Sequence, residues 1–101
     1  MFGKMGDMMG KLQEMKQRSE EIKLKLDDTI IKAEGAGGDI KIEITGNREF
    51  KNITISGALQ HGDKQELEEQ LLIALNRAVR EADKVNETAM KDAASGLIPG
   101  L

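Results

Sequence analysis

Residues 29–56 read TIIKAEGAGGDIKIEITGNREFKNITIS, and the folding of this stretch decides the architecture around it. Ile40, Ile42 and Ile44 alternate with Lys41, Glu43 and Thr45. Ile53 and Ile55 alternate with Asn52, Thr54 and Ser56. Successive side chains of an extended chain leave opposite faces, so strict period two with polar partners marks strands that bury one face. Thr29–Glu34 carries a weaker form of the pattern. Three strands are therefore predicted, at about 29–34, 39–45 and 51–56. Gly35-Ala36-Gly37-Gly38 supplies a Gly-rich hairpin loop between the first two. Gly46-Asn47 opens the second turn, with glycine first as a type II′ turn prefers. Phe50 is out of phase with Ile53 and Ile55, which places it at a bulge or in the turn itself.

Upstream, the period changes. Met5, Met8, Leu12, Met15, Ser19, Ile22 and Leu26 step by three and then four. With Met5 as position a of a heptad, all seven fall at a or d. This predicts a helix over about 5–27, roughly 33 Å long, that packs along one seam. Lys4, Lys11, Arg18 and Lys25 fall at g, and Lys16 and Lys23 at e. Asp7, Glu14, Glu21 and Asp28 fall at c. A parallel self-pair would set g against e, and an antiparallel one g against g; both oppose like charges. The seam is expected to pack on something else, leaving the basic flanks free for acids or phosphates. Gly3, Gly6 and Gly10 lower helix propensity, so the first turns are expected to fray unless held.

Downstream, Asp63 followed by Glu66 resembles a capping box at the start of a second helix, predicted over about 64–94. Leu67, Leu71, Ala74, Ala78, Ala82, Val85 and Ala89 form one apolar stripe. Leu72, Leu75, Val79 and Met90 form another beside it. Together they exceed ~100° of arc, enough for one stripe to cover a sheet and the other to meet a helix. Arg77, Arg80, Lys84 and Lys91 lie within ~60° of each other on the same helix. Gly96 is expected to stop it, with residues 95–101 as a flexible tail ending in GLIPGL.

The predicted class is α+β: one domain over residues 1–101, with a long N-terminal helix, a three-stranded antiparallel sheet and a long C-terminal helix. Two open sheet edges and an unpaired seam would be buried by an intertwined homodimer.

Composition narrows the function. There is no cysteine, which fits a reducing compartment and removes thiol chemistry. Lys4, Asp7 and Lys11 interrupt the apolar run that a secretory leader would need, and no stretch approaches the ~20 apolar residues of a membrane span. A cytoplasmic protein is expected. His61 is the only histidine and has no partner ligand or nucleophile nearby in sequence. Glu66, Glu68 and Glu69 suit a solvated first helical turn. GAGG precedes a strand, whereas phosphate loops precede a helix. The residues thus call for no catalysis, metal, cofactor or small-molecule substrate. Net charge is −3, with 15 basic and 18 acidic residues, which argues against a globally basic nucleic-acid binder. The basic rows carry no interleaved aromatics, so contacts to DNA would be to phosphate rather than by base stacking.

The opening MFGK, the helix MMGKLQEMKQ, the hairpin GAGGDIKIEITGN, and then FKNITIS, LLIALNRAVREA and GLIPGL form an ordered set over nearly the whole chain. In this it resembles the YbaB/EbfC family of small bacterial nucleoid-associated proteins. The resemblance implies a helix–three strands–helix protomer, a tight homodimer, and binding of double-stranded DNA with little sequence demand, in the nucleoid. The family has no short binding motif to transfer. The candidate contacts, chosen from charge, are Lys4, Lys11, Lys16, Arg18, Lys23 and Lys25, with Arg77, Arg80 and Lys84 in support. The net acidity keeps a second expectation open, a dimeric protein-interaction scaffold using the first-helix seam and the apolar tail.

Overall fold

The computed structural model describes the backbone of residues 2–97 and the side chains of residues 7–94. The order of elements is α1 (Phe2–Asp27), β1 (Ile30–Gly35), a single 3-10 turn (Ala36–Gly38), β2 (Ile40–Thr45), β3 (Phe50–Ile55), the short helix α2 (Gly57–Gln60) and α3 (Lys64–Leu97). The expected helix, antiparallel sheet and second long helix are all present, in that order. The strands form one antiparallel sheet in the order β1-β2-β3.

Register puts the apolar residues on one face. Ile44 stands opposite Ile31, and Ile42 opposite Ala33. On the other side Ile40 faces Ile55 and Ile42 faces Ile53. The alternation that predicted the strands is therefore the alternation that builds the core. Between Glu43 and Ile44 the register with β3 shifts by one, so that Phe50 stands opposite Ile44. This bulge absorbs Lys51 and returns Phe50 to the face of Ile53 and Ile55.

The core is small. Ile40, Ile42 and Ile44 from β2 are fully buried against Ala74, Ala78 and Ala82 of α3, with Ala33 and Leu59 alongside. Alanine at these three positions lets the helix lie close to the sheet. The contact is close where Gly35 meets Ala74: a Cβ placed on Gly35 would fall 2.6 Å from Ala74 Cβ. The helix lies over β1 and β2 and leaves β3 uncovered.

Several boundaries and turns differ from expectation. The first helix begins at Phe2 rather than near Met5. The second runs through Gly96 to Leu97, because glycine weakens a helix by only ~1 kcal/mol and does not forbid it. Of the tail expected at 95–101, residues 95–97 continue α3, while residues 98–101 and the side chains of Lys4 and Met5 lie outside the described residues. Helix α2 was not expected; Ser56 caps it by accepting the Leu59 amide at 3.2 Å. At α3 the Asp63 carboxylate accepts the Gln65 amide at 3.3 Å.

The β2–β3 turn is not type II′. Arg48 N donates to Thr45 O at 3.0 Å, and Arg48 itself takes the left-handed φ of +67°, while Gly46 does not. The four residues Gly46–Glu49 thus form a longer loop closed by Thr45. The buried Thr45 hydroxyl accepts the amides of Asn47 at 3.2 Å and Glu49 at 3.1 Å. Glycine is needed at 46 for space, not for φ: its Cβ would collide with Leu26.

A long helical arm leaves the sheet. The whole molecule measures 70 × 22 × 16 Å along its principal axes. Helix α3 accounts for ~51 Å of the length, and the N-terminal part of α1 for most of the rest, at ~1.5 Å per residue. Helix α1 packs antiparallel along the distal half of α3, where Ile22 and Ala93 border one cleft. Leu26 is buried, Met15 and Ile22 are half-buried, and Met8 and Leu12 are exposed. The heptad seam is thus used at its C-terminal end and open at the other.

Candidate nucleic-acid interface

The arm presents most of the basic residues singled out from the sequence. Lys11, Lys16, Arg18, Lys23 and Lys25 are all exposed on α1. Among the described residues none of them joins an ion pair; the four pairs formed are Arg48–Asp83, Lys51–Glu49, Lys64–Glu68 and Lys84–Glu81. These cations keep their charge available to an external anion.

They do not make one patch. Residues two apart on a helix point ~160° away from each other. Lys16 and Arg18 therefore lie on opposite flanks of the buried line through Met15, Ile22 and Leu26, as do Lys23 and Lys25. One flank carries Lys11, Arg18 and Lys25, with Arg18 lining the cleft it shares with Glu21, Ile22 and Ala93. The other carries Lys16 and Lys23.

On α3 the three supporting residues have different roles. Arg77 Nη1 donates to the backbone carbonyl of Glu34 at 3.1 Å, on edge strand β1. Lys84 pairs with Glu81 at 3.7 Å, on an exposed surface where such a pair contributes little. Arg80 is exposed and forms no ion pair among the described residues. Arg80 stands ~140° around α3 from Ala93, which faces α1, so this stripe points away from the first helix. The basic positions are spread over three faces of the protomer.

The outer face of the sheet offers a shallow concavity of about 340 Å³ lined by Lys32, Glu34, Lys41, Glu43, Asn52 and Thr54. Lys32 stands opposite Glu43 and Glu34 opposite Lys41. Charges that alternate in this way give no net field for an anion.

Sequence reasoning missed the polar cluster at the root of the arm. Asn47 Nδ2 donates to Lys23 O at 2.8 Å and to Asp27 Oδ1 at 2.5 Å. Asn86 Nδ2 donates to Gly46 O at 3.0 Å and to Asn47 Oδ1 at 3.4 Å. Arg48 Nε pairs with Asp83. The β2–β3 turn thereby holds both helices. The signal in the sequence was Asn86, a polar residue on a flank of the apolar stripe of α3, together with an asparagine in the turn. Neither indicates its partner without the fold.

The chain is a small α+β fold whose two-helix arm carries cations that join no ion pair among the described residues. The chain belongs to the YbaB/EbfC DNA-binding family, whose profile matches residues 1–97. It is 38% identical over 94 residues to a nucleoid-associated protein of Flavobacterium johnsoniae, covering 93% of this chain and 88% of that one. A nucleoid-associated protein of Hahella chejuensis is 34% identical over 95 residues, covering 94% and 88%. The crystal structure of an uncharacterized protein from Helicobacter pylori, HP0035, shares the fold: TM-score 0.79 at 23% identity, over 86% of this chain and 92% of that one.

Proposed function

We propose that the chain acts as a homodimer that binds double-stranded DNA with little sequence preference, organises the nucleoid and so influences gene expression. What carries the reading is membership of a DNA-binding family over residues 1–97 in a chain whose helical arm exposes Lys11, Lys16, Arg18, Lys23 and Lys25 free of ion pairs among the described residues. Each would contact phosphate, with Lys4, Arg77, Arg80 and Lys84 as further candidates. Phosphate contacts position a protein without reading bases.

The uncovered part of the core face supports the dimer. Phe50 and Ile53 share the face of the buried Ile42 and Ile44 yet remain 40% and 41% exposed. A second copy placed there completes the core that α3 leaves open over β3. It also adds a second arm, so that cations dispersed on one protomer can line a shared space between two.

The test is a titration of a duplex at several salt concentrations. Binding should weaken linearly in log–log form, and Lys11→Gln/Arg18→Gln/Lys25→Gln should flatten the slope by ~0.9 for each phosphate contact removed. No binding at low salt, or binding indifferent to those three changes, would sink the reading. Exposed Met8, Met9 and Leu12, with the net charge of −3, favour a second reading: a scaffold that grips a protein. Recovery of one stoichiometric protein partner with no nucleic acid retained would support it.

A further inference from the structure

We infer that Asn47 is a positioning residue that sets the direction of the helical arm relative to the sheet, and hence the placing of the α1 cations on DNA. The second half of this statement rests on the function proposed above.

Helix α1 packs along α3 rather than on the sheet. Its link to β1 is Asp28 and Thr29 alone. Among the described residues, the hydrogen bonds that tie it to the sheet pass through the β2–β3 turn. Gly46 N donates to Leu26 O at 3.0 Å. Asn47 reaches one turn further up the helix, to Lys23 O, and also to the Asp27 carboxylate. Its own carbonyl oxygen accepts Asn86 of α3. One side chain therefore bridges the turn, the first helix and the third, and it stays locked to the turn because its amide N donates to the buried Thr45 hydroxyl.

Leverage makes this root matter. Phe2 lies ~31 Å along the helix from Lys23, so a 10° tilt at the root moves the far end by ~5 Å. That exceeds the ~3.4 Å rise between successive nucleotides of one DNA strand, enough to shift a cation from one phosphate toward the next. The seam with α3 does not hold this end, since Met8 and Leu12 are exposed. The companion tie, Arg48 to Asp83, joins the turn to α3 only and does not touch α1. Its side chains are 44% and 40% exposed, so salt weakens it. The Asn47 amide carries no charge, so its contacts to Lys23 O and to Asn86 are less sensitive to salt than the Arg48–Asp83 pair.

The chain has no cysteine, so two spin labels can be placed without background. Gln13→Cys on α1 and Thr54→Cys on the outer face of β3 are both exposed and outside the cluster. Labelled protein is diluted into unlabelled protein so that distances within one chain dominate. The parent should give one narrow distance. Asn47→Ala should broaden or shift it, and should weaken duplex binding about three- to tenfold while leaving the salt slope unchanged, because no charge is removed. Asn47→Asp, which sets two carboxylates together, should broaden the distance further. Adding Asp27→Asn, which restores both a donor and the net charge, should narrow it again. An unchanged distance distribution in Asn47→Ala would overturn the proposal, whether or not DNA binds. Lost affinity with an unchanged distance distribution would make Asn47 a direct DNA contact rather than a positioning residue. A parent protein that binds no duplex defeats the proposed function instead, and the distances still decide the role of Asn47.

Discussion

Gly46 lies so close to Leu26 that a Cβ built on it would fall 2.6 Å from Leu26 Cδ2, 3.1 Å from its Cβ and 3.2 Å from its carbonyl oxygen. Leu26 is buried, and the same carbonyl accepts the Gly46 amide. A methyl group there must displace backbone as well as a side-chain tip. Gly46→Ala is expected to destabilise by ~1–3 kcal/mol, the range for overpacking. Gly10 provides the contrast: it sits within α1 with nothing within 4 Å of its built Cβ. Gly10→Ala should stabilise by ~0.5–1 kcal/mol. Urea midpoints of the two variants should move in opposite directions.

Gly35 and Ala74 form a second close contact, and a double-mutant cycle isolates it. Gly35→Ala alone sets two methyl groups 2.6 Å apart and should destabilise by ~1–3 kcal/mol. Ala74→Gly alone should cost ~1 kcal/mol in helix propensity, plus the lost contact. With both changes the methyl is moved across the interface rather than added. The double variant should be more stable than the sum of the single effects by ~0.5 kcal/mol or more. Additive energies from denaturant unfolding would mean that α3 can lift from β1 without penalty.

The strands were legible because β2 is buried on one face and wet on the other, so period two survives in Ile40, Ile42 and Ile44. The helices were legible from period 3.6 and from Asp63 at a cap. What escaped is long-range or conformational. Arg48 takes a left-handed φ where the sequence offered Gly46 as the obvious turn residue, because Gly46 is reserved for contact with Leu26. Helix α2 is only four residues long, too short to show a period. At the candidate interface, the heptad located the basic rows of α1 correctly on either side of a seam. It could not show that Met8 and Leu12 are left open, since that depends on where α3 runs. Nor could it show that Arg77 is engaged by Glu34, a residue 43 positions away.

That engagement separates two arginines that look equivalent in sequence. Arg77→Ala removes a charge and also a hydrogen bond to a carbonyl of an edge strand, so a loss of ~0.5–1.5 kcal/mol is expected. Arg80→Ala removes a charge alone, and its stability should stay within ~0.5 kcal/mol of the parent. If both support DNA binding, both should reduce affinity, but only Arg77→Ala should lower the melting temperature. Equal melting temperatures would show that the Arg77 contact contributes nothing in solution.

Ile53 tests the uncovered face. It stands opposite Ile42 on the core side of the sheet, but α3 lies over β1 and β2 and does not reach it. A carboxylate there tolerates water and does not tolerate an apolar partner. Desolvating an unpaired charge costs several kcal/mol, more than most interfaces can absorb. Ile53→Glu should therefore abolish self-association while leaving the protomer folded, because the side chain is already 41% exposed within one chain. Sedimentation equilibrium should report a monomer, and circular dichroism an unchanged helix content. Glu49→Ala, on the loop that precedes β3 and largely exposed, should leave the assembly intact. A dimer that persists in Ile53→Glu would place the interface elsewhere, with the open α1 seam at Met8 and Leu12 as the next surface to change.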